Sequence, residues 1–160
     1  MSRILVLGVG NILFTDEGIG VRCVEILQQD YVFSEGVALM DGGTLGTKLM
    51  GPLLEAEQVI VCDAVLGDGA PGSIYRLEGD DLRKSLAFRD SMHQTDLVDT
   101  LTLCGLVGKR PKAVVIGMEP ADYQTMGLDL SPVAQAAMPT MVRAVLDEIV
   151  RVGGTFQPKV

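Results

Sequence analysis

A three-layer α/β/α domain around a mostly parallel sheet is the fold that this sequence predicts, on three observations. Short apolar runs alternate with segments whose apolar residues recur at helical spacing. Each apolar run is stopped by a glycine, an acid or both. A fourth extended run follows the third too closely for a helix to cross between them.

Arg3–Gly8 (RILVLG) is a short apolar run ended by glycine, the pattern of a buried strand. From Gly20 to about Gln29, Val21, Val24, Ile26 and Leu27 mark a helix. Val37–Met40 is a second strand, stopped by Asp41-Gly42-Gly43. Thr47–Ala56 is helical, with Leu49, Met50, Leu53 and Leu54 on one side and Pro52 early enough to be tolerated. Val59–Cys62 is a third strand, ending in Asp63.

Ser73–Leu77 is the fourth strand. The connection before it, Asp63–Gly72, contains Gly67, Gly69, Pro71 and Gly72, so it cannot hold a crossover helix. This strand is therefore expected to run against its neighbours. Asp80–Leu86 follows as a short helix, and Gln94–Val107 as a longer one, spaced by Leu97, Leu101, Leu103 and Cys104. Ala113–Met118 is the fifth strand. Pro132 opens a last helix that runs to about Val152 and is closed by Gly153-Gly154. One domain, residues 1–152, is predicted, with 153–160 a fraying tail.

The chain has 160 residues, 48% of them apolar, enough for one well-filled core. A net charge of −8 argues against a nucleic-acid partner, which would need a basic face. No signal peptide is recognisable, and no stretch approaches the ~18 apolar residues of a membrane span. Cys23, Cys62 and Cys104 lie far apart without a C-x-x-C pair. They read as buried core thiols in a reducing cytoplasm, not as zinc ligands.

The densest chemistry lies in Gly8–Gly20, GVGNILFTDEGIG. Asp16 and Glu17 are adjacent carboxylates in an apolar, glycine-rich loop, where a charge is costly unless paired. Either one caps the following helix or one is presented to a ligand. Ligands of open α/β sheets bind beyond the carboxyl ends of the strands. Glu17, Asp41 and Asp63 follow strands one, two and three and so should gather at that edge. Each alone reads equally as a cap or turn residue. Together they would repel unless a cation, an arginine or a shared proton relieved them. His93 is the sole histidine. It reads as a surface residue, or as an imidazole completing a site for zinc, nickel or iron with positions left open.

Other chemistries fit less well. Gly8-Val9-Gly10 begins a dinucleotide fingerprint, but Leu13 stands at its third glycine. Asp41 comes 33 residues after Gly8 (41 − 8), against about 20 for a ribose-binding acid. No phosphate loop, G-x-S-x-G elbow or H-E-x-x-H motif is present. Cys62 falls within a buried strand, a poor setting for a nucleophile.

Five blocks in order carry a more specific signal: GVGNILFTDEGIG, Asp41-Gly42-Gly43-Thr44, Val61-Cys62-Asp63-Ala64, Pro71-Gly72 and Met92-His93-Gln94. Over about Met1–Val152 the chain resembles the hydrogenase maturation proteases, endopeptidases that finish the large subunit of nickel–iron hydrogenases. The resemblance implies a phosphorylase/hydrolase-like fold with a mixed five-stranded sheet of order 2-1-3-5-4, strand four antiparallel. It implies that Glu17, Asp63 and His93 are the metal-binding trio and that Asp16 is a neighbour, supporting the turn into the helix. Asp41 matches an acid of the family's DGG segment.

The implied substrate is a nickel-loaded large-subunit precursor, cut after a His or Arg that follows its last metal-binding Cys-x-x-Cys. The trio would recognise nickel brought by the substrate; cadmium or zinc could take its place. Nickel would polarise the scissile carbonyl or activate water. Asp41 or a ligand acid would serve as general base, in an aspartyl-type endopeptidase. The glycines would leave room for the precursor's C-terminal segment. The expected protein is a cytoplasmic monomer that binds neither nucleic acid nor membrane. A maturation chaperone that docks the precursor without cutting it, and a nucleotide-binding α/β domain, are the alternatives.

Overall fold

The computed structural model describes residues 3–43, 50–86, 97–108 and 110–160 of the chain. Five strands form the main sheet: β1 (Ile4–Val9), β3 (Val37–Gly43), β4 (Gln58–Ala64), β5 (Ile74–Leu77) and β6 (Lys112–Met118). Two short strands, β2 (Tyr31–Phe33) and β7 (Phe156–Pro158), pair apart from it. The sheet order is β3-β1-β4-β6-β5, which is the expected 2-1-3-5-4 once the short strands are left out of the count. β1, β3, β4 and β6 are parallel neighbours. β5 runs antiparallel to β6, with Ile74 opposite Met118 and Leu77 opposite Val115, as its broken connection requires.

Helices cover both faces. α1 (Ile19–Asp30) and α4 (Pro132–Arg151) pack with Ile4, Val6, Ile60, Cys62 and Ile116 in one core. The other core joins Leu53 of α2 (Met50–Glu55) and Leu101 and Cys104 of α3 (Leu97–Val107) to Leu5, Leu7, Val59, Val61 and Val115. Strand alternation thus sends odd positions of β1 and β4 one way and even positions the other. Cys23, Cys62 and Cys104 are all buried free thiols. Contact with Cys23 and burial push the Cys62 thiol far up, which removes it as a nucleophile.

The segments expected to be helical at Thr47–Ala56 and Gln94–Val107 are described from Met50 and Leu97 onward; their earlier residues lie outside the described ones. In place of the α-helix expected over Asp80–Leu86, a 3-10 helix spans Gly79–Lys84. The last helix begins as read: the Ser131 side chain accepts the Ala134 N–H and Pro132 occupies the first turn. It also ends as read, with Gly153 at φ +104° and the Gly154 N–H donating to Ile149 O at 2.9 Å.

The tail is ordered where fraying was expected. Phe156–Pro158 pairs antiparallel with Tyr31–Phe33. The physical reason is aromatic packing: Phe156 meets Tyr31 edge to face at 5.6 Å, and Tyr31 lies 6.4 Å from Phe33. The Lys159 N–H adds a hydrogen bond to Asp30 O.

Candidate active site

The loop after β1 is shaped by glycines that admit backbone. A Cβ on Gly8 would sit 2.7 Å from Gly20 O, and one on Gly20 would sit 1.9 Å from Cys62 O. These two glycines seat the start of α1 directly against β1 and β4. The expectation that they leave room for a substrate is corrected: helix–sheet contact already fills that space. For the same reason they form no phosphate cradle.

Gly10 is different. Its φ of +122° lies where L side chains rarely go, and a Cβ there would meet Glu17 O at 1.9 Å and Asp63 Oδ1 at 3.9 Å. Gly10 therefore lets the Glu17 main chain close against the end of β1, next to the Asp63 carboxylate. Glu17 sits in the 3-10 turn Thr15–Gly18 that leads into α1. It is half-buried, and loss of hydration raises its pKa above the ordinary carboxylate value; the Asn11 backbone N–H pulls it partly back.

Asp63, near the end of β4, is fully buried. Ser85 Oγ donates to its Oδ2 at 2.6 Å. Its position in β4 is in phase with Val59 and Val61, so it belongs to the face covered by α2 and α3. α3 leads through a short connection into the amino end of β6. Its Leu97 end therefore lies toward the carboxyl edge of the sheet, on the Asp63 face. His93 precedes Leu97 by four residues in the sequence and lies outside the described residues. Among the described residues, no three of His, Cys, Asp and Glu stand together as a metal-holding group.

Asp41 is exposed and pairs in register with Gly8 at the same edge. It is in phase with Val37 and Leu39, which pack on the α1–α4 core. Strand alternation thus puts Asp41 and Asp63 on opposite faces of one edge.

Asp16 has another role. It is fully buried, and its Oδ2 accepts the Ala121 N–H at 2.9 Å, the Asp122 N–H at 3.2 Å and Ser131 Oγ at 2.7 Å. Its Oδ1 accepts the Ser131 N–H at 2.8 Å. A support for the local turn was expected; the carboxylate instead clamps a loop more than a hundred residues away. Glu119 does similar work beside β6. Its Oε1 accepts the Gly67 and Gly69 N–H groups and the Tyr75 hydroxyl, fixing the β4–β5 connection. Neither Glu119 nor Ser85 stood out in the sequence. Each acts on a residue at least 22 positions away, and no local pattern announces such a pairing.

A fold of this order gathers acids at the carboxyl edge of β1 and β4, where open α/β proteins place their ligand sites. A family profile for hydrogenase maturation proteases matches residues 21–148, and the chain belongs to that family. The hydrogenase 2 maturation protease of Escherichia coli is 37% identical over 146 residues, 90% of this chain and 88% of its own. The hydrogenase expression/formation protein HoxM of Azotobacter vinelandii is 40% identical over 147 residues, 91% of this chain and 71% of its own. The solved hydrogenase maturating endopeptidase HybD of E. coli superposes with a TM-score of 0.88 at 35% identity, covering 98% of both chains. The chain is thus a peptidase, a hydrolase of hydrogenase maturation. Among the described residues no helix is long and apolar enough to cross a membrane.

Proposed function

We propose that this peptidase removes the C-terminal extension of a nickel-loaded [NiFe] hydrogenase large-subunit precursor, and that Glu17, Asp63 and His93 engage nickel carried by that substrate. The observation that carries the reading is the Glu17–Gly10–Asp63 arrangement. Gly10 stands against the Glu17 backbone carbonyl and beside Asp63 Oδ1, which brings both acidic residues to one junction of loop and strand. One is buried and the other is desolvated enough to raise its pKa. Acids gathered at one sheet edge favour a cation among them.

Carboxylates and an imidazole are hard and borderline donors, whereas thiolates are soft ligands. A substrate that holds nickel through its own cysteines needs only a few protein ligands to complete the contact. The metal would then polarise the scissile carbonyl or lower the pKa of an attacking water. A general base works best with a pKa near the operating pH. Glu17 is raised toward that range, and Asp41 faces away from Asp63; both facts support a ligand acid as the base.

The test is cleavage of purified precursor, read by mass. Nickel-loaded precursor should lose its C-terminal peptide and nickel-free precursor should stay intact. Equal cleavage of both forms refutes nickel recognition. Full activity in His93→Ala removes His93 from the site.

A further inference from the structure

We propose that Ser85 is a positioning residue for the cleavage reaction: its hydroxyl holds the Asp63 carboxylate by Oδ2 and so keeps Oδ1 turned toward Gly10 and the Glu17 main chain. Both residues are fully buried, and Ser85 Oγ donates to Asp63 Oδ2 at 2.6 Å. That length belongs to a hydroxyl bonded to an ionised carboxylate, a stronger class of hydrogen bond than one between neutral groups. Asp63 Oδ1 lies toward Gly10, 3.9 Å from where a Cβ on that glycine would stand, and the same Cβ would meet Glu17 O.

Ser85 is itself fixed by its main chain. It follows the 3-10 helix Gly79–Lys84, and its N–H donates to Leu82 O at 3.0 Å. It pairs with Val65 in an antiparallel bridge, and the Leu66 N–H donates to Lys84 O at 2.8 Å. Leu82 and Val65 share the core that holds Val59 and Val61. The serine is thereby tied to the chain two residues beyond Asp63. The last torsion of an aspartate is broad and roughly two-fold, so β4 places the Asp63 carboxylate without fixing the plane of its oxygens. One strong bond to Oδ2 from a fixed donor sets that plane. An acid that must meet a metal or a water in one geometry depends on such a support, and losing it costs about 10- to 100-fold in metal affinity or activity.

This inference rests on the proposed role of Asp63 in cleavage, and its experiment separates the two. Ser85→Ala removes the hydroxyl, Ser85→Thr keeps it, and Ser85→Cys offers a weak donor. Each is compared with wild type and Asp63→Asn well below its Tm, by calorimetric titration with Ni²⁺ alone and by kcat/KM for nickel-loaded precursor. Ser85→Ala is expected to lose about tenfold or more in both, Ser85→Thr to regain most of both, and Ser85→Cys to fall between. Where Asp63→Asn weakens Ni²⁺ binding but Ser85→Ala binds as wild type, whatever its Tm, the serine is merely structural and the proposal is overturned while the nickel reading stands. Wild-type kcat/KM in Ser85→Ala overturns it too. So does a folded Ser85→Thr as impaired as Ser85→Ala or, if that variant does not fold, a Ser85→Cys no better than Ser85→Ala. Where Asp63→Asn binds Ni²⁺ as wild type, the nickel reading fails. Ser85 is then judged on kcat/KM alone: a loss in Ser85→Ala regained in Ser85→Thr upholds it, and no loss overturns it.

Discussion

Asp16 and Glu17 are consecutive in the chain, yet they anchor two regions of opposite design. The clamp built on Asp16 is saturated: one buried carboxylate accepts four hydrogen bonds and fixes the loop over residues 121–131. The surroundings of the Glu17 carboxylate are different. Glu17 receives the Asn11 backbone N–H, and burial raises its pKa. A carboxylate surrounded by donors is held in its charged form and is structural. A desolvated one with few donors keeps its capacity for a cation or a proton. The difference separates a saturated carboxylate from a desolvated one at two adjacent positions.

The sharpest way to break this comparison is in the site. Glu17→Gln and Asp63→Asn are each expected to cut kcat/KM by at least about a hundredfold while leaving the far-ultraviolet circular dichroism spectrum as in wild type. Wild-type kinetics in either variant would assign the chemistry elsewhere. Asp16→Ala should do the reverse. It removes the buried acceptor of four hydrogen bonds and should cost about 3 kcal/mol of stability in urea unfolding. A change below about 0.5 kcal/mol would mean the clamp is not under load.

Smaller effects sharpen the contrast. Tyr75→Phe removes a hydroxyl from the Glu119 cluster and should cost about 1 kcal/mol. Burial and the Glu119 carboxylate raise the Tyr75 pKa. Its contribution is therefore complete below the phenol's ordinary pKa of 10.0 and is lost as pH rises through the folded value. Equal slopes of stability against pH for wild type and Tyr75→Phe between pH 9 and 11 would contradict that sign.

The smallest effect belongs to Glu17 itself. Its folded pKa is raised, so its stabilising contribution is present below the ordinary value of 4.5 and disappears as pH climbs through the folded one. Wild type should lose stability relative to Glu17→Gln from pH 4 to pH 7, seen as diverging Tm values. The opposite drift would mean that Glu17 is stabilised as a carboxylate, like its neighbour.

Much of the main sheet was legible because buried strands must be apolar and their ends are marked by Gly8, Asp41 and Asp63. The reversal of β5 was legible for a stricter reason: Asp63–Gly72 is too short and too broken for a crossover. The β2–β7 pair was not legible. Tyr31 follows α1 without a turn residue, and its partner Phe156 lies 125 positions away (156 − 31). At the site, the acids and Gly10 could be picked out from the sequence, but their grouping could not. Alternation separates Asp41 from Asp63 by face, and the run of residues in each strand shows only that both reach one edge.

The sequence by itself determined the class of fold, the order of its elements, the edge where the acids gather and the family resemblance. These follow from local periodicity, connection length and ordered motifs, all properties of the chain read in one dimension. Only the tertiary structure decided that Asp16 clamps a distant loop while burial raises the Glu17 pKa, that Gly10 packs against the Glu17 main chain beside Asp63, and that Leu13 comes into register with Met126. Those outcomes depend on which distant N–H groups and strands arrive at the same place, and folding brings them there through contacts more than a hundred residues apart.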